Sequence, residues 1–284
     1  MNSPDRTWTF TSAVDGLPIT VYSWSVASPK AVIVISHGAA EHALRYARFA
    51  QALNAAGFTV WAPDQRGHGA SAGPQGLGDF GPGGWDALIA DIGQLIGLAR
   101  KQHAAPVVLF GHSMGAAACR QFAPLGSDTI DALILSGTGV RAPPKAGDPP
   151  PNWNAAFEPG RTGYEWLSRD EAEVDKYVAD PLCGFDKQKV RIGATLINHA
   201  VLADPQQHRK IRGDLPVLLV AGDADPINRK LEGMHTLEGW WRDAGVRQID
   251  KLYYRDGRHE MLNETNRDEV TRDIVAWINK TLAR

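Results

Sequence analysis

Short apolar runs alternate with longer stretches in which apolar positions recur every three or four residues. The runs occupy residues 31–36, 58–62, 106–110, 130–136 and 215–221, followed by a more alternating one at 248–254. Unbroken series of Val, Ile, Leu and Ala describe strands covered on both faces, which is the situation of a parallel sheet. Between them, residues 46–56, 85–102, 113–124, 229–244 and 267–282 have helical spacing. In the last, Val270, Ile274, Trp277 and Ile278 fall on one apolar face at i, i+4, i+7 and i+8. Two β-favouring stretches, 8–13 and 17–24, precede the first run, and Val14-Asp15-Gly16 between them reads as a hairpin turn. The expected fold is α/β: a mostly parallel eight-stranded sheet with helices on both faces.

The rhythm breaks between residues 140 and 213, where no buried strand is written. Prolines cluster at 143–144 and 149–151, and polar helical patterns cover 168–178 and 187–203. A structureless loop of that length does not fit a compact domain. The expectation is therefore a core of residues 1–139 and 214–284, with a helical cap of residues 140–213 laid over one end of the sheet. Trp153, Phe157, Tyr164, Trp166 and Leu167 either line a pocket beneath this cap or pack it onto the core.

Composition narrows the partners. The 284 residues are 43% hydrophobic, enough for a large core, and 30 basic against 32 acidic residues leave a net charge of -2. No basic excess exists to hold a phosphate backbone, so a nucleic-acid partner is not expected. Cys119 and Cys183 form no redox motif and no zinc site with each other. Residues 1–10 have no apolar signal core, and no run approaches the ~20 apolar residues of a membrane span. A soluble, cytoplasmic protein is expected, with contact to a lipid surface left open.

Chemistry concentrates at strand ends. Gly111-His112-Ser113-Met114-Gly115 follows the run 106–110 and opens a helical pattern, so G-x-S-x-G stands in the strand–turn–helix setting that gives it meaning. Such a turn strains the serine backbone and lifts its Oγ above the sheet at the positive end of a helix. A nucleophilic serine needs a base, and the base an orienting acid, following in the order serine, acid, histidine. The run 215–221 ends in Gly222-Asp223-Ala224-Asp225-Pro226, and 248–254 ends in Arg255-Asp256-Gly257-Arg258-His259-Glu260. His259 is the base candidate; His199, His208 and His235 fall away from strand ends. Asp223, Asp225 and Asp256 compete as the acid. Backbone N–H groups must meet the oxyanion, one from Met114 and a second from the loop Ser36-His37-Gly38-Ala39-Ala40-Glu41-His42, with Ala39 the candidate. His37 reads as a positioner of that loop. The segment Asp64-Gln65-Arg66-Gly67-His68-Gly69 lacks the Lys-Ser or Lys-Thr of a phosphate loop and the carboxylates of a zinc site, so it reads as a structural turn braced by Asp64 and Arg66.

With these pieces in place, the chain resembles the α/β-hydrolases of the monoacylglycerol lipase and lysophospholipase-like group, which is also classed with serine aminopeptidases. The resemblance rests on Ser36–His42 with Arg45-Tyr46, the turn from Asp64 to Ser71, Gly111–Gly115, Gly222–Asp225 and Gly257–His259. It implies Ser113 as nucleophile, His259 as general base and Asp225 as orienting acid, three residues after Gly222. Ala39 and Met114 become the oxyanion donors. It also implies hydrolysis of monoacylglycerol or lysophospholipid-like esters, with no metal and no organic cofactor. Two alternatives share the fold. A peptidase or amidase would use an acid among Glu158, Glu165, Asp170 and Glu171 to hold an ammonium; a non-catalytic member would bind ligand without turnover.

Overall fold

The apolar runs are strands and the helical patterns are helices, in the order their spacing predicts. The computed structural model describes residues 3–140, 151–185 and 197–283. Its single sheet contains β1 (Arg6–Thr11), β2 (Pro18–Trp24), β3 (Val32–Ser36), β4 (Thr59–Pro63), β5 (Val107–His112), β6 (Ala132–Ser136), β7 (Val217–Gly222) and β8 (Ile249–Tyr254), in the spatial order β1-β2-β4-β3-β5-β6-β7-β8. From β4 to β8 every neighbouring pair is parallel; β2 runs against both of its neighbours. Six helices of eight residues or more occur among the described residues. They are α1 (Ala47–Ala55), α2 (Gly84–Gln102), α3 (Met114–Gly126), α4 (Glu171–Ala179), α5 (Glu232–Asp243) and α6 (Arg267–Leu282).

Strand alternation sorts the core into two layers. Val32, Val34, Val107, Leu109, Leu133, Leu135, Val217 and Leu219 pack under α2, α3 and α5. Their neighbours Ile33, Ile35, Val108, Phe110, Ile134, Leu218 and Val220 pack under α1 and α6, including all four apolar residues of the α6 stripe. Each fully buried aliphatic side chain contributes about 1.5–3 kcal/mol, so both layers are needed, and the central strands have no solvent face.

Two boundaries differ from the spacing. Thr11 pairs with Pro18, so residues 12–17 form a longer loop than an Asp-Gly turn requires. The reason is tertiary: the Asp15 carboxylate accepts from Arg66 Nη1 at 2.9 Å and the Gly83 N–H at 3.1 Å, while Ser12 donates to Asp91 at 2.6 Å. The helix expected from residue 229 begins at Glu232, because Arg229, Lys230 and Leu231 adopt positive φ values of 57°, 56° and 69°.

Between β6 and β7 the described residues form no strand. They form 3₁₀ turns at Ala155–Phe157 and Glu165–Leu167, α4, and short helices at His199–Ala203 and Pro205–His208. Asp170 caps α4 by accepting the N–H groups of Ala172 and Glu173. Residues 187–196 of the expected second helix, and prolines 143, 144, 149 and 150, lie outside the described residues. Among those described, no helix is long and apolar enough to cross a membrane.

The turn after β4 is braced as its composition suggests. Asp64 accepts from the N–H groups of Ala43 and Ala70, both at 2.8 Å, and from Tyr22 OH at 3.2 Å. Arg66, fully buried, bonds Asp15, Asp91 and the Phe80 carbonyl. Replacing it by methionine leaves two carboxylates in the interior without their cation. We expect Arg66→Met to lower unfolding free energy by about 3–5 kcal/mol, read from the urea midpoint at pH 7. An unmoved midpoint would mean that these pairs contribute nothing net.

Candidate active site

Ser113 is the hinge between β5 and α3, at φ 53° and ψ −115°. That conformation costs on the order of 1–3 kcal/mol, and its surroundings hold it there. The Ser113 N–H donates to the Ser136 carbonyl at 2.9 Å, and the Ala117 N–H donates to the Ser113 carbonyl at 3.0 Å. The turn also requires α3 to run hard against the end of β3: a Cβ at Gly115 would lie 2.1 Å from the Ser36 carbonyl oxygen. The Met114 N–H belongs to the first turn of α3, whose donors have no intrahelical acceptor.

Asp225 and His259 meet across the ends of β7 and β8. His259 Nδ1 lies 3.0 Å from Asp225 Oδ2, and both residues are buried. The second Asp225 oxygen accepts the Ile227 N–H at 2.8 Å, which fixes the carboxylate plane. Asp223 faces elsewhere and accepts the Asp256 N–H at 2.7 Å, where Asp256 turns at φ 57°. Of the three competing acids, Asp225 is the one at the imidazole. Burial alone would lower the pKa of His259; the charge and hydrogen bond of Asp225 outweigh it and raise the pKa above the ordinary imidazole value of 6.5. The His259 ring lies 4.7 Å from that of His112, the residue before Ser113, and 4.9 Å from Trp166 on its own flank. His208 and His235 stand apart from this group, stacked on Trp240 and edge-on to Tyr253. His199 opens a short helix in the β6–β7 segment.

The loop after β3 comes against Ser113 from the other side. A Cβ at Gly38 would sit 3.3 Å from Ser113 Cβ, so the backbone passes at contact distance. Two histidines shape this loop. The Gln65 N–H donates to His37 Nε2 at 2.9 Å, so His37 Nδ1 carries the proton and donates to the Gly38 carbonyl at 2.8 Å. The Ala40 N–H donates to His68 Nε2 at 3.2 Å, and His68 Nδ1 donates to the Arg66 carbonyl at 3.0 Å. Burial pushes both imidazoles down, His37 to about 4 and His68 to about 3, so both stay neutral. The Gly38 N–H is taken by Glu41. Among the described residues, the Ala39 N–H between them has no protein acceptor.

Glu41, Arg45 and Glu260 form a network that sequence reading left unassigned. Arg45 donates to Glu41 at 2.6 Å and, through both terminal nitrogens, to Glu260 at 2.7 Å. Glu41 also accepts the Tyr46 hydroxyl at 2.8 Å. Burial would raise the Glu41 carboxyl, but the Arg45 guanidinium brings it down to about 2. The i, i+4 spacing of Glu41 and Arg45 was a visible signal; their link to Glu260 was not.

His42, Asp180 and Cys183 are the one group of potential metal ligands among the described residues, with donor atoms within 4.8 Å of one another. His42 Nε2 already bonds Asp180 at 2.8 Å, and burial raises the Cys183 thiol, favouring its non-ligating protonated form. Cys119 and Cys183 are both free thiols.

A model of the serine aminopeptidase S33 family matches residues 27–266, a span that contains every residue of this site. The chain belongs to that family. It is 30% identical to a Mycolicibacterium smegmatis monoacylglycerol lipase, over 94% of this chain and 95% of that protein. It is 31% identical to human monoglyceride lipase, over 89% and 82%. Among solved structures, a thermostable carboxyl esterase from Bacillus coagulans superposes with a TM-score of 0.86 at 25% identity, covering 98% of each chain. The eight-stranded architecture is thus that of this family's hydrolases.

We expect Gly115→Ala to separate α3 from β3 and disturb the Ser113 turn, since the added carbon meets backbone rather than a yielding side chain. The measurement is the rate of covalent labelling by a fluorophosphonate, which should fall at least tenfold or be lost with the fold. Labelling at the unaltered rate would show that the close approach is not needed.

Proposed function

We propose that this protein hydrolyses carboxylic esters through an acyl-enzyme on Ser113. Ser113 attacks the ester carbonyl while His259 Nε2 takes its proton; the Asp225 carboxylate, accepting the Nδ1–H, stabilises the resulting imidazolium. The tetrahedral oxyanion is received by the N–H groups of Ala39 and Met114. His259 then returns the proton to the leaving alcohol and activates water for the second half-reaction. The observation that carries this reading is the 3.0 Å Asp225–His259 bond beside a serine held in a strained strand-to-helix turn.

Monoacylglycerols or lysophospholipid-like esters are the substrate class we favour, because the relatives that share this chain over most of its length are named for the former. Residues 140–213 act in this reading as the cap over the site, and 1–139 with 214–284 as the core. The cap is the part that would touch a lipid surface, and the protein works in the cytoplasm without a cofactor. An aminopeptidase would need a free acid in the cap for the substrate ammonium. Glu158, Glu165 and Asp170 are engaged within the fold instead, by Gly160 and Asn154, by residues 161–163 and by Arg267, which leaves Glu171, exposed in the first turn of α4, as the acid for that alternative.

A fluorophosphonate probe should label the wild-type protein and not Ser113→Ala; labelling that survives the substitution would sink the assignment. Asp225→Asn should reduce ester kcat on the order of 10⁴-fold, whereas Asp223→Asn should leave it nearly unchanged. The opposite pattern would exchange the two roles. The base must be neutral to act, so kcat/KM should rise with pH through the His259 pKa, with a midpoint above 6.5. A midpoint at or below 6.5 would contradict the role given to Asp225.

A further inference from the structure

His259 has two rings beside it. His112 is 4.7 Å away and Trp166 4.9 Å away, with the indole tilted 37° to the imidazole. Trp166 comes from the segment between β6 and β7, and that segment is sewn to the histidine loop. The His259 N–H donates to the Trp166 carbonyl at 3.3 Å and the Glu260 N–H to the Leu167 carbonyl at 2.8 Å. Arg258 Nη1 donates to the carbonyls of Glu165 and Ser168 at 2.6 and 3.1 Å, with its guanidinium 4.2 Å over Phe157. The backbone that carries the indole has its own supports. The Trp166 backbone N–H is held by Asn154 Oδ1 at 3.0 Å, and Glu165 gathers the backbone N–H groups of Arg161, Thr162 and Gly163. An indole 4.9 Å from a histidine, carried on a backbone bonded to that histidine's own loop, is more than packing of a surface segment.

We propose that Trp166 is a positioning residue for His259: its π face holds the imidazole in place and stabilises the imidazolium formed when His259 takes the proton of Ser113. The inference rests on His259 being the general base. The other charged or titratable groups near His259 are Asp225 from the β7 loop, His112 from the β5 turn, Glu41 from the β3 loop and Glu260 on its own loop. Arg45 is bonded to Glu41 and Glu260, Arg258 lies over Phe157 and bonds the Glu165 carbonyl, and burial pushes His112 down to about 4. A cation over an indole face gains about 0.5–2 kcal/mol, a few-fold to some thirtyfold in the rate of a step that creates the cation.

The test uses the full-length protein with a soluble short-chain ester, comparing Trp166→Phe and Trp166→Leu with wild type across pH. Phe keeps a π face and should retain kcat within about threefold. Leu keeps an apolar cover without a π face; kcat should fall about tenfold with KM nearly constant, and the acid limb should move to lower pH because the imidazolium has lost a partner. A second reading needs only the conservative variant. Imidazolium in contact with indole quenches its emission, so wild-type fluorescence should step with pH at the midpoint of the acid limb, and Trp166→Phe should lack that step. Unchanged kcat and acid limb in the Leu variant would overturn the proposal. So would a change confined to KM, which would mark Trp166 as a substrate contact, or a fluorescence step that persists in Trp166→Phe. The underlying assignment fails separately, if His259→Ala retains turnover.

Discussion

Arg45, partly buried between Glu41 and Glu260, is the interaction on which the geometry of the site depends. Its two carboxylates belong to loops that the sheet keeps apart. β3 and β8 are separated by β5, β6 and β7, four strand spacings or roughly 19 Å. The guanidinium closes that span above the strand ends. On one side it fixes Glu41, which holds the Gly38 N–H next to Ala39. On the other it fixes Glu260, which follows His259. The serine turn at the end of β5 lies within this arch. Breaking one partner of such a network leaves an uncompensated buried charge, typically worth 3–5 kcal/mol, so the arrangement is tolerated only when complete.

The remaining parts use the same logic of consuming polar groups until one is left. In the β3 loop, Glu41 takes the Gly38 N–H and His68 the Ala40 N–H, and the N–H between them remains. Tyr177 OH and the Gly184 N–H both donate to the Ala40 carbonyl, at 3.0 and 2.9 Å. Among the described residues, the segment between β6 and β7 therefore meets the site both at Ala40 and at His259. That segment is bonded to both the loop after β3 and the loop that carries His259.

How much of this could be read beforehand follows from the range of each interaction. Strands buried on both faces announce themselves as unbroken Val, Ile and Leu, and Ser113 stands at the end of such a strand, whereas His259 follows the alternating edge strand β8. Local appearance failed where a distant partner decides. The Asp-Gly turn is overruled by Arg66, 51 residues beyond Asp15. The start of α5 is displaced by three left-handed residues, Arg229, Lys230 and Leu231, none of which is glycine. Asp225 and Asp223 have the same chemistry and nearly the same position; only family spacing, and then the 3.0 Å bond, separated them. Glu260 and Arg45 are 215 residues apart, and no periodicity links them. Trp166 looked like any aromatic of the insertion until its backbone was found paired with the histidine loop.

The buried histidines have a consequence for the whole fold. His37, His68 and His112 cannot take protons in place until the pH nears 4, 3 and 4, whereas an unfolded imidazole does so near 6.5. Between those values the unfolded chain binds more protons, so stability that is complete above 6.5 drains away as the solution is acidified. Burial lowers His103 and His208 as well, and His259 works in the opposite direction, since its raised pKa favours the folded state when protonated. The histidines that give the β3 loop its shape thereby favour unfolding in acid, through proton uptake by the unfolded form, across the range in which the pair of His259 and Asp225 takes up its own proton.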